Sequence, residues 1–217
     1  MSSEAKGANP TEDPAAAVDR VGAIVLARHG EPALSRAVRL NADEYRAWWG
    51  LYEEMGLAAD QSPPPRLLTT AAQAKVILSS TRLRSIETAA AICQGRTASI
   101  DPDLIEAPLP PPRWPSWIRL KPRSWGVIAR FWWWFLNHHD GHETRAHAQA
   151  RADRVAERLI AQAQGGDVLV VAHGFFNTMV GLSLQRHGWR LVENDGFKYW
   201  SMRRFERQTV AQGRSPP

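Results

Sequence analysis

The chain has 217 residues and a mass of 24.3 kDa, which is enough for one domain with a full hydrophobic core. Its hydrophobic content of 44% and charged content of 23% are ordinary for a globular protein, and no stretch approaches the roughly 20 apolar residues of a transmembrane helix. The net charge of +5 is too small to indicate nucleic-acid binding, and no nucleic-acid motif is present.

The two ends of the chain differ in composition from its middle. Residues 1–20 carry four acidic side chains and no apolar stretch, so we expect a disordered leader rather than a targeting signal. Residues 208–217 are expected to form a loose tail, and residues 21–207 a single domain. Cys93 is the only cysteine, which excludes a disulfide within one chain and makes a reducing cytoplasm the expected location.

The middle of the chain alternates between predicted strands and predicted helices. Strands are predicted at residues 21–27, 75–80, within 98–105, at 167–172 and at 197–205, the last at an edge of the sheet; helices are predicted at residues 41–55, 69–74, 83–93, 151–164 and 175–187. Asn41 and Glu44 have the spacing of a capping box at the start of the first helix. This alternation predicts a three-layer α/β/α sandwich with a mostly parallel central sheet.

Polar side chains stand where three of these strands end. Arg28 and His29 follow the first strand, Ser79 and Ser80 close the second, and His173 follows the fourth. Ligands of such sheets bind beyond the carboxyl ends of the strands. We therefore predict that the two histidines lie together at one edge of the sheet.

An imidazole beside guanidinium groups suits chemistry on a phosphoryl group. A neutral imidazole, whose unperturbed pKa is about 6.5, is a competent nucleophile near pH 7. The planar fork of an arginine grips phosphate through two hydrogen bonds, and its charge opposes protonation of a neighbouring imidazole such as His29. Gly30 is expected to let the chain turn sharply into a helix whose amino end attracts anions.

Three segments together resemble one family. They are Arg28-His29-Gly30-Glu31, residues 79–89 and residues 170–174, each after a predicted strand. In this order they resemble the histidine phosphatase superfamily, in its phosphoglycerate mutase-like branch of small phosphatases and mutases. The resemblance covers roughly residues 21–205. It implies a phosphoglycerate mutase-like fold and hydrolysis of a small phosphorylated substrate without a metal or other cofactor.

The resemblance also implies a role for each matching residue. His29 is similar to the nucleophile that becomes phosphohistidine. Arg28 and Arg84 are similar to the guanidiniums that hold the phosphoryl oxygens, and His173 to the second histidine, which donates to the transferring group. Glu106 is similar to the proton donor that follows the third strand. The expected activity is thus that of a phosphatase acting on a phosphate monoester.

Several alternatives stay open at this point. Arg82 competes with Arg84, and Glu31, Glu87 and Glu143 can substitute for Glu106 as the acid. A phosphoglycerate mutase-type phosphotransferase would need further cations to retain a bisphosphorylated intermediate, for which Arg36 and Arg39 are the candidates. The protein can also be a non-enzyme that binds a phosphorylated ligand or a partner through the same pocket and the aromatic insertion, without catalysis.

Residues 107–140 form a proline- and tryptophan-rich insertion that departs from the alternating pattern. It can pack against the core as a lid helix, wall an apolar pocket for a hydrophobic leaving group, or touch a membrane or a partner. Residues 138–142 include three histidines and an aspartate, but they are crowded into a predicted loop, so we expect a polar surface turn rather than a metal site. The oligomeric state is open.

Overall fold

The computed structural model describes residues 21–207, so the predicted leader 1–20 and tail 208–217 lie outside the described residues. Strands are β1 Ile24–Arg28, β2 Val76–Ser79, β3 Ser99–Ile100, β4 Val168–Ala172, β5 Trp189–Asn194 and β6 Met202–Arg207; helices are α1 Ala42–Glu54, α2 Pro65–Gln73, α3 Leu83–Cys93, α4 Pro122–Leu136, α5 Arg145–Gln162 and α6 Gly174–Arg186. Within 21–207, none of the helices combines the length and the hydropathy that crossing a membrane requires.

The strands form one sheet of six in the order β3-β2-β4-β1-β6-β5. Strands β1 to β4 are parallel to one another, and β6 pairs antiparallel with β1. Arg28 is in register with Ala172, and Ser79 with Val171, so the carboxyl ends of β1, β2 and β4 are level. The predicted mostly parallel sheet is confirmed.

Both faces of this sheet are covered by helices. Along β4, Val168 and Val170 pack in a core cluster with α5 and α6, whereas Leu169 and Val171 pack in a second cluster with α2 and α3. Because alternate side chains of a strand point to opposite faces, a continuously apolar strand fits burial on both sides. The three-layer α/β/α architecture is confirmed.

The end of the sheet differs from the prediction. The strand expected at residues 197–205 begins only at Met202, and as β6 it lies beside β1 rather than at the edge. The edge is β5, which the sequence did not reveal because all of its residues after Trp189 are exposed. An exposed strand lacks the apolar alternation by which strands are recognised.

Two helix starts are informative. The capping box before α1 is confirmed, since the Asn41 side chain accepts from the Glu44 backbone and the Glu44 carboxylate accepts from Asn41 N, both at 2.9 Å. Helix α5 begins at Arg145, six residues before the predicted start, with Thr144 as its side-chain cap. The helix expected directly after Gly30 does not form; residues 31–41 are irregular instead.

The insertion is built around α4. The inner face of this helix is fully buried at Trp125, Ala129 and Trp133, whereas Phe131 and Phe135 on its outer face are exposed. The indole N–H of Trp125 donates to Leu40 O at 2.6 Å, which ties α4 to the start of α1. The two helices share a separate aromatic cluster beside the main core.

Candidate active site

His29 and His173 face each other at the carboxyl edge of the sheet. Each directly follows a parallel strand, and the strands β1 and β4 are neighbours. Their ring centroids lie 5.2 Å apart in an edge-to-face arrangement, and the residues are 2% and 1% exposed. The pair therefore forms one buried centre.

The hydrogen bonds of His29 select one tautomer. Its Nδ1 lies 2.7 Å from the carbonyl oxygen of Gly30, which can only accept, so Nδ1 carries the proton. Nε2 is then unprotonated, and Arg84 Nε donates to it at 3.3 Å. Burial, followed by the charges of Arg84 and Arg28, lowers the pKa of His29 well below its ordinary value, against the effect of the Gly30 bond. His29 thus presents a neutral nucleophilic nitrogen.

His173 is held between a hydroxyl and a guanidinium. Its Nε2 lies 2.9 Å from Ser80 Oγ, and its Nδ1 accepts from Arg84 Nη2 at 3.3 Å. Burial and then the charge of Arg84 lower its pKa well below the ordinary value. Both imidazoles are therefore neutral in this arrangement.

Arg84 joins the two histidines and is itself buried, with 1% exposure. Its Nη1 donates to Tyr52 O at 2.8 Å, and its Nη2 pairs with Glu53 Oε1 at 2.7 Å. The competing arginine, Arg82, contacts the other oxygen of Glu53 from a more exposed position and does not line the cavity that contains the histidines. The structure therefore brings Arg84 to the centre, and Arg82 supports it from outside.

Arg28 approaches the centre from the other side. Its guanidinium lies 4.4 Å from the ring centroid of Tyr199 and donates to the carbonyl oxygen of Phe197. Its Nε is buried and has no hydrogen-bond partner among the described residues. The Tyr199 ring is also 5.7 Å from that of His29. Arg28 therefore keeps hydrogen-bonding capacity near His29.

Gly30 is required for a different reason than the sequence suggested. A Cβ atom at this position would lie 2.4 Å from the indole of Trp200. Its N–H donates to Thr88 Oγ1 at 2.9 Å, which fixes the loop after β1. The glycine permits close approach rather than entry into a helix.

Glu106 lies at the amino end of α6. Its Oε1 accepts from Phe176 N at 2.8 Å, and its Oε2 from Phe175 N at 3.3 Å. The first amides of a helix carry partial positive charge and favour a carboxylate there. Glu106 lines the same cavity as Arg28, Arg84 and the two histidines.

The three alternative acids are placed elsewhere. Glu87 accepts from Leu57 N at 2.6 Å, and Glu143 forms an ion pair with Arg151 at 2.7 Å. Glu31 is exposed. None of the three lines the cavity, so Glu106 is the carboxylate that can reach a bound ligand.

The comparisons with known proteins agree with this geometry. The model of the histidine phosphatase superfamily (branch 1) matches residues 24–209. The chain belongs to this superfamily. Among curated protein sequences, none is significantly similar to it.

Several solved structures have the same fold as this superfamily member. The product of an open reading frame of Mycobacterium tuberculosis is 18% identical with a TM-score of 0.51, covering 84% of this chain and 90% of its own. A mycobacterial glucosyl-3-phosphoglycerate phosphatase is 20% identical with a TM-score of 0.50, covering 77% and 81%. A protein described as mycobacterial hydrolase 1 is 18% identical with a TM-score of 0.51, covering 85% and 97%. At these identities the likeness shows the fold alone.

The cavity of this histidine phosphatase superfamily member has a volume of about 760 Å³. Its lining carries six cations and, within the described part of the chain, a single carboxylate, Glu106. The cations are Arg28, Arg36, Arg84, Arg123, Arg130 and Lys198. Of the two cations considered for a mutase, Arg36 lines the cavity and Arg39 does not. Such a surplus of positive charge suits an anionic ligand.

The histidine-rich turn at residues 138–142 is engaged in other contacts. Asp140 forms ion pairs with Arg113 at 3.1 Å and with Arg46 at 3.3 Å. Hydrogen bonding to Arg113 lowers the pKa of Asp140. Nowhere in residues 21–207 do three or more histidine, cysteine, aspartate or glutamate side chains gather closely enough to hold a metal ion.

Three residues that contact the site arginines were not predicted from the sequence. Glu53 and Tyr52 contact Arg84, and Tyr199 contacts Arg28. Arg36 donates to the Tyr52 hydroxyl at 2.8 Å, and its guanidinium lies 5.2 Å from the Tyr199 centroid. A signal for the α1 residues was available, since Tyr45, Trp48 and Tyr52 recur on one face of that helix. Tyr199 carries no such signal, because it lies in an irregular segment before β6.

Proposed function

We propose that this protein is a phosphatase that hydrolyses a phosphate monoester through a phosphohistidine intermediate on His29. One observation carries the proposal: the unprotonated Nε2 of His29 is buried against the guanidinium of Arg84, and a second neutral histidine lies 5.2 Å away. A buried nucleophile surrounded by fixed positive charge suits attack on a phosphoryl group.

In the first step, His29 Nε2 attacks phosphorus while the bond to the leaving oxygen breaks. Arg28 and Arg84 neutralise the phosphoryl oxygens, which is the largest contribution to catalysis in such reactions. Glu106 is the proposed donor of a proton to the leaving oxygen, so the product leaves as an alcohol.

In the second step, water attacks the phosphohistidine. The Glu106 carboxylate takes a proton from this water, the nitrogen–phosphorus bond breaks, and inorganic phosphate leaves. The sequence of steps returns His29 and Glu106 to their starting states. All acid–base and nucleophilic groups come from the chain, so the reaction as proposed needs no cofactor.

Ser80 supports a donor role for His173. A serine hydroxyl can donate or accept. In the structure Nδ1 of His173 accepts from Arg84, so its ring proton lies on Nε2 and is donated to Ser80. When a ligand takes up the Arg84 donor, Ser80 can donate to Nε2 instead, and the ring proton then lies on Nδ1, which faces the centre. His173 can then donate to a phosphoryl oxygen, and its tautomer can change as the ligand arrives.

The alternative of a mutase has less support. Only Arg36 of its two candidate cations lines the cavity, and Arg39 is exposed. We therefore favour water, rather than a second phosphate-accepting molecule, as the acceptor. The inferred cytoplasmic location stays a prediction, compatible with the buried thiol of Cys93.

Turnover of p-nitrophenyl phosphate in the presence of EDTA tests the proposal. We expect release of phosphate that EDTA does not reduce, and loss of this activity in His29→Ala. His147→Ala, which removes an exposed histidine of α5, is the matched control and should retain activity. Folded wild-type protein that is inactive on a broad panel of phosphate esters would support the non-catalytic alternative. Transfer of the phosphoryl group to an added phosphoglycerate in preference to water would support a mutase.

A further inference from the structure

The cavity that contains the two histidines is also lined by residues of α1 and α4. The α1 side is aromatic and consists of Tyr45, Trp48, Trp49 and Tyr52. The α4 side includes Gly126, Val127 and Arg130. The whole cavity, at about 760 Å³, is much larger than a phosphate group requires, and aromatic walls bind planar or apolar groups.

The hydroxyl of Tyr45 is an unsatisfied polar group at this wall. Tyr45 is fully buried, with ring centroids of Trp48 and Trp125 both 5.9 Å from its own. Its hydroxyl has no hydrogen-bond partner among residues 21–207. Burial raises its pKa, so the hydroxyl keeps its proton and is a donor. A buried polar group without a partner is unfavourable, and it points to an acceptor that is supplied by a ligand.

Arg130 and this hydroxyl both lie near Gly126 of α4. A Cβ atom built on Gly126 would be 3.1 Å from Arg130 Nη1 and 3.7 Å from Tyr45 Oη, so both groups converge over that glycine. Arg130 Nη1 donates to Gly126 O at 3.0 Å, and its guanidinium lies 5.4 Å from the ring centroid of Phe175. No carboxylate of the described residues lies within 4.0 Å of Arg130.

The absence of a side chain at Gly126 leaves room at this point. An alanine there would meet the Arg130 guanidinium at a distance tighter than ordinary contact. Two donors, one of them cationic, therefore lie close to one glycine of a cavity that the aromatic side chains of α1 also line, and the described residues supply no acid within 4.0 Å of Arg130. A charged donor facing an apolar wall favours an anionic acceptor.

We propose that Tyr45, Gly126 and Arg130 form a distal subsite that binds a carboxylate carried on a bulky aromatic leaving group of the substrate. The substrate is then a phosphate monoester with anionic groups at two ends, one at His29 and one at the distal subsite, and a planar apolar body against α1. This inference rests on the proposed phosphatase function and adds the chemical class of its leaving group.

Two matched synthetic esters test the inference, 2-naphthyl phosphate and 6-carboxy-2-naphthyl phosphate. We expect wild-type protein to hydrolyse the carboxylated ester with a kcat/KM about 10-fold higher or more, the scale of one charge-assisted hydrogen bond, mainly through a lower KM. Arg130→Gln should remove most of this preference, and Tyr45→Phe, which removes a single oxygen, should reduce it. Arg154→Gln, which removes the same charge from the exposed face of α5, should keep it.

A binding measurement makes the outcome independent of turnover. The alcohol product of the carboxylated ester, 6-hydroxy-2-naphthoate, should bind wild-type protein in isothermal titration, and its Kd should rise about 10-fold in Arg130→Gln. Equal kcat/KM for the two esters, or a preference that survives Arg130→Gln, would overturn the distal subsite and leave the phosphatase proposal intact. Hydrolysis of neither ester, together with inactivity on p-nitrophenyl phosphate, would instead count against the phosphatase itself.

Discussion

Glu53 and Arg84 form an ion pair at the base of the site, with Glu53 Oε1 2.7 Å from Arg84 Nη2. Arg84 is almost completely buried, so this carboxylate and the carbonyl oxygens of α1 satisfy most of its donors. The arrangement leaves Arg84 Nε directed at His29 and Nη2 also near His173. Helix α1 therefore sets the position of the guanidinium that connects the two histidines.

Removing the charge of Glu53 should weaken catalysis without removing any group that touches the substrate. In Glu53→Gln we expect kcat/KM for p-nitrophenyl phosphate to fall on the order of 10²-fold, because a displaced guanidinium no longer fits the phosphoryl oxygens. Glu53→Asp should recover part of the loss, and the inhibition constant of inorganic phosphate should rise in parallel with the loss of activity. Glu54→Gln, one residue along on the exposed side, is the control. Equal kinetics in the Glu53 and Glu54 variants would refute a positioning role.

The proton donor can be tested through the leaving group. Glu106→Gln keeps an oxygen acceptor for the amides of α6 but cannot supply the proton. We expect an alkyl phosphate to be cleaved on the order of 10²- to 10⁴-fold more slowly, whereas p-nitrophenyl phosphate should be affected much less, because p-nitrophenolate leaves without a proton. The inhibition constant of inorganic phosphate should stay near the wild-type value.

Glu157→Gln, an exposed position on α5, is the matched control for the Glu106 variant. An equal loss on both classes of ester would show that Glu106 acts on something other than the leaving oxygen. An unchanged rate on the alkyl ester would remove Glu106 from the mechanism.

The lowered pKa values of His29 and His173 predict a stability that depends on pH. In the unfolded chain a histidine titrates with a pKa of about 6.5, whereas both groups titrate well below this value when folded. Between these two pKa values the unfolded state binds more protons, so the free energy of unfolding should fall as the pH drops below about 6.5. Each histidine contributes at most about 1.4 kcal/mol per pH unit.

Denaturant unfolding between pH 7.5 and the acid range measures this effect, in a buffer without phosphate because a bound anion would favour the imidazolium. The double variant with His29→Gln and His173→Gln should show a flatter dependence of the unfolding free energy on pH than wild-type protein. His147→Gln should keep the wild-type slope. If the slope is the same in all three proteins, protonation of His29 and His173 is not the cause of the pH dependence of the unfolding free energy.

The sheet and its histidine centre were predictable because they depend on local signals. A buried strand is recognised from a continuous apolar run, and the level ends of parallel strands bring Arg28, His29 and His173 together once the strands are neighbours. Helix α3 was predicted with its observed bounds, so Arg84 was placed correctly as the second residue of a helix that starts at the same edge.

The parts that escaped prediction depend on contacts between distant segments. Glu53 meets Arg84 only because the last turn of α1 reaches the start of α3 at the site, and no spacing rule connects residues 31 positions apart. Tyr199 reaches His29 from the irregular chain before β6. Strand β5 is exposed at the edge of the sheet, and its pairing with β6 leaves no apolar pattern in the sequence.

The insertion packs against the protein and also lines the cavity, so it has features of two of the three interpretations that its composition allowed. The tryptophans on the inner face of α4 pack against the protein, and Arg123, Gly126 and Arg130 line the cavity. Composition alone identifies an aromatic segment, but the phase of the helix decides which residues face the ligand. This is why the arginine of the distal subsite was not distinguished from its neighbours in the sequence.

The most direct test of the central claim is to trap the covalent intermediate. Wild-type protein mixed with a fast phosphate ester and quenched in alkali within one turnover should carry one phosphate that is stable in base, labile in acid and located by mass spectrometry on His29. The same experiment on His29→Ala should give no such modification. A phosphate found on another residue, or turnover by wild-type protein with no phosphohistidine at any quench time, would contradict the account.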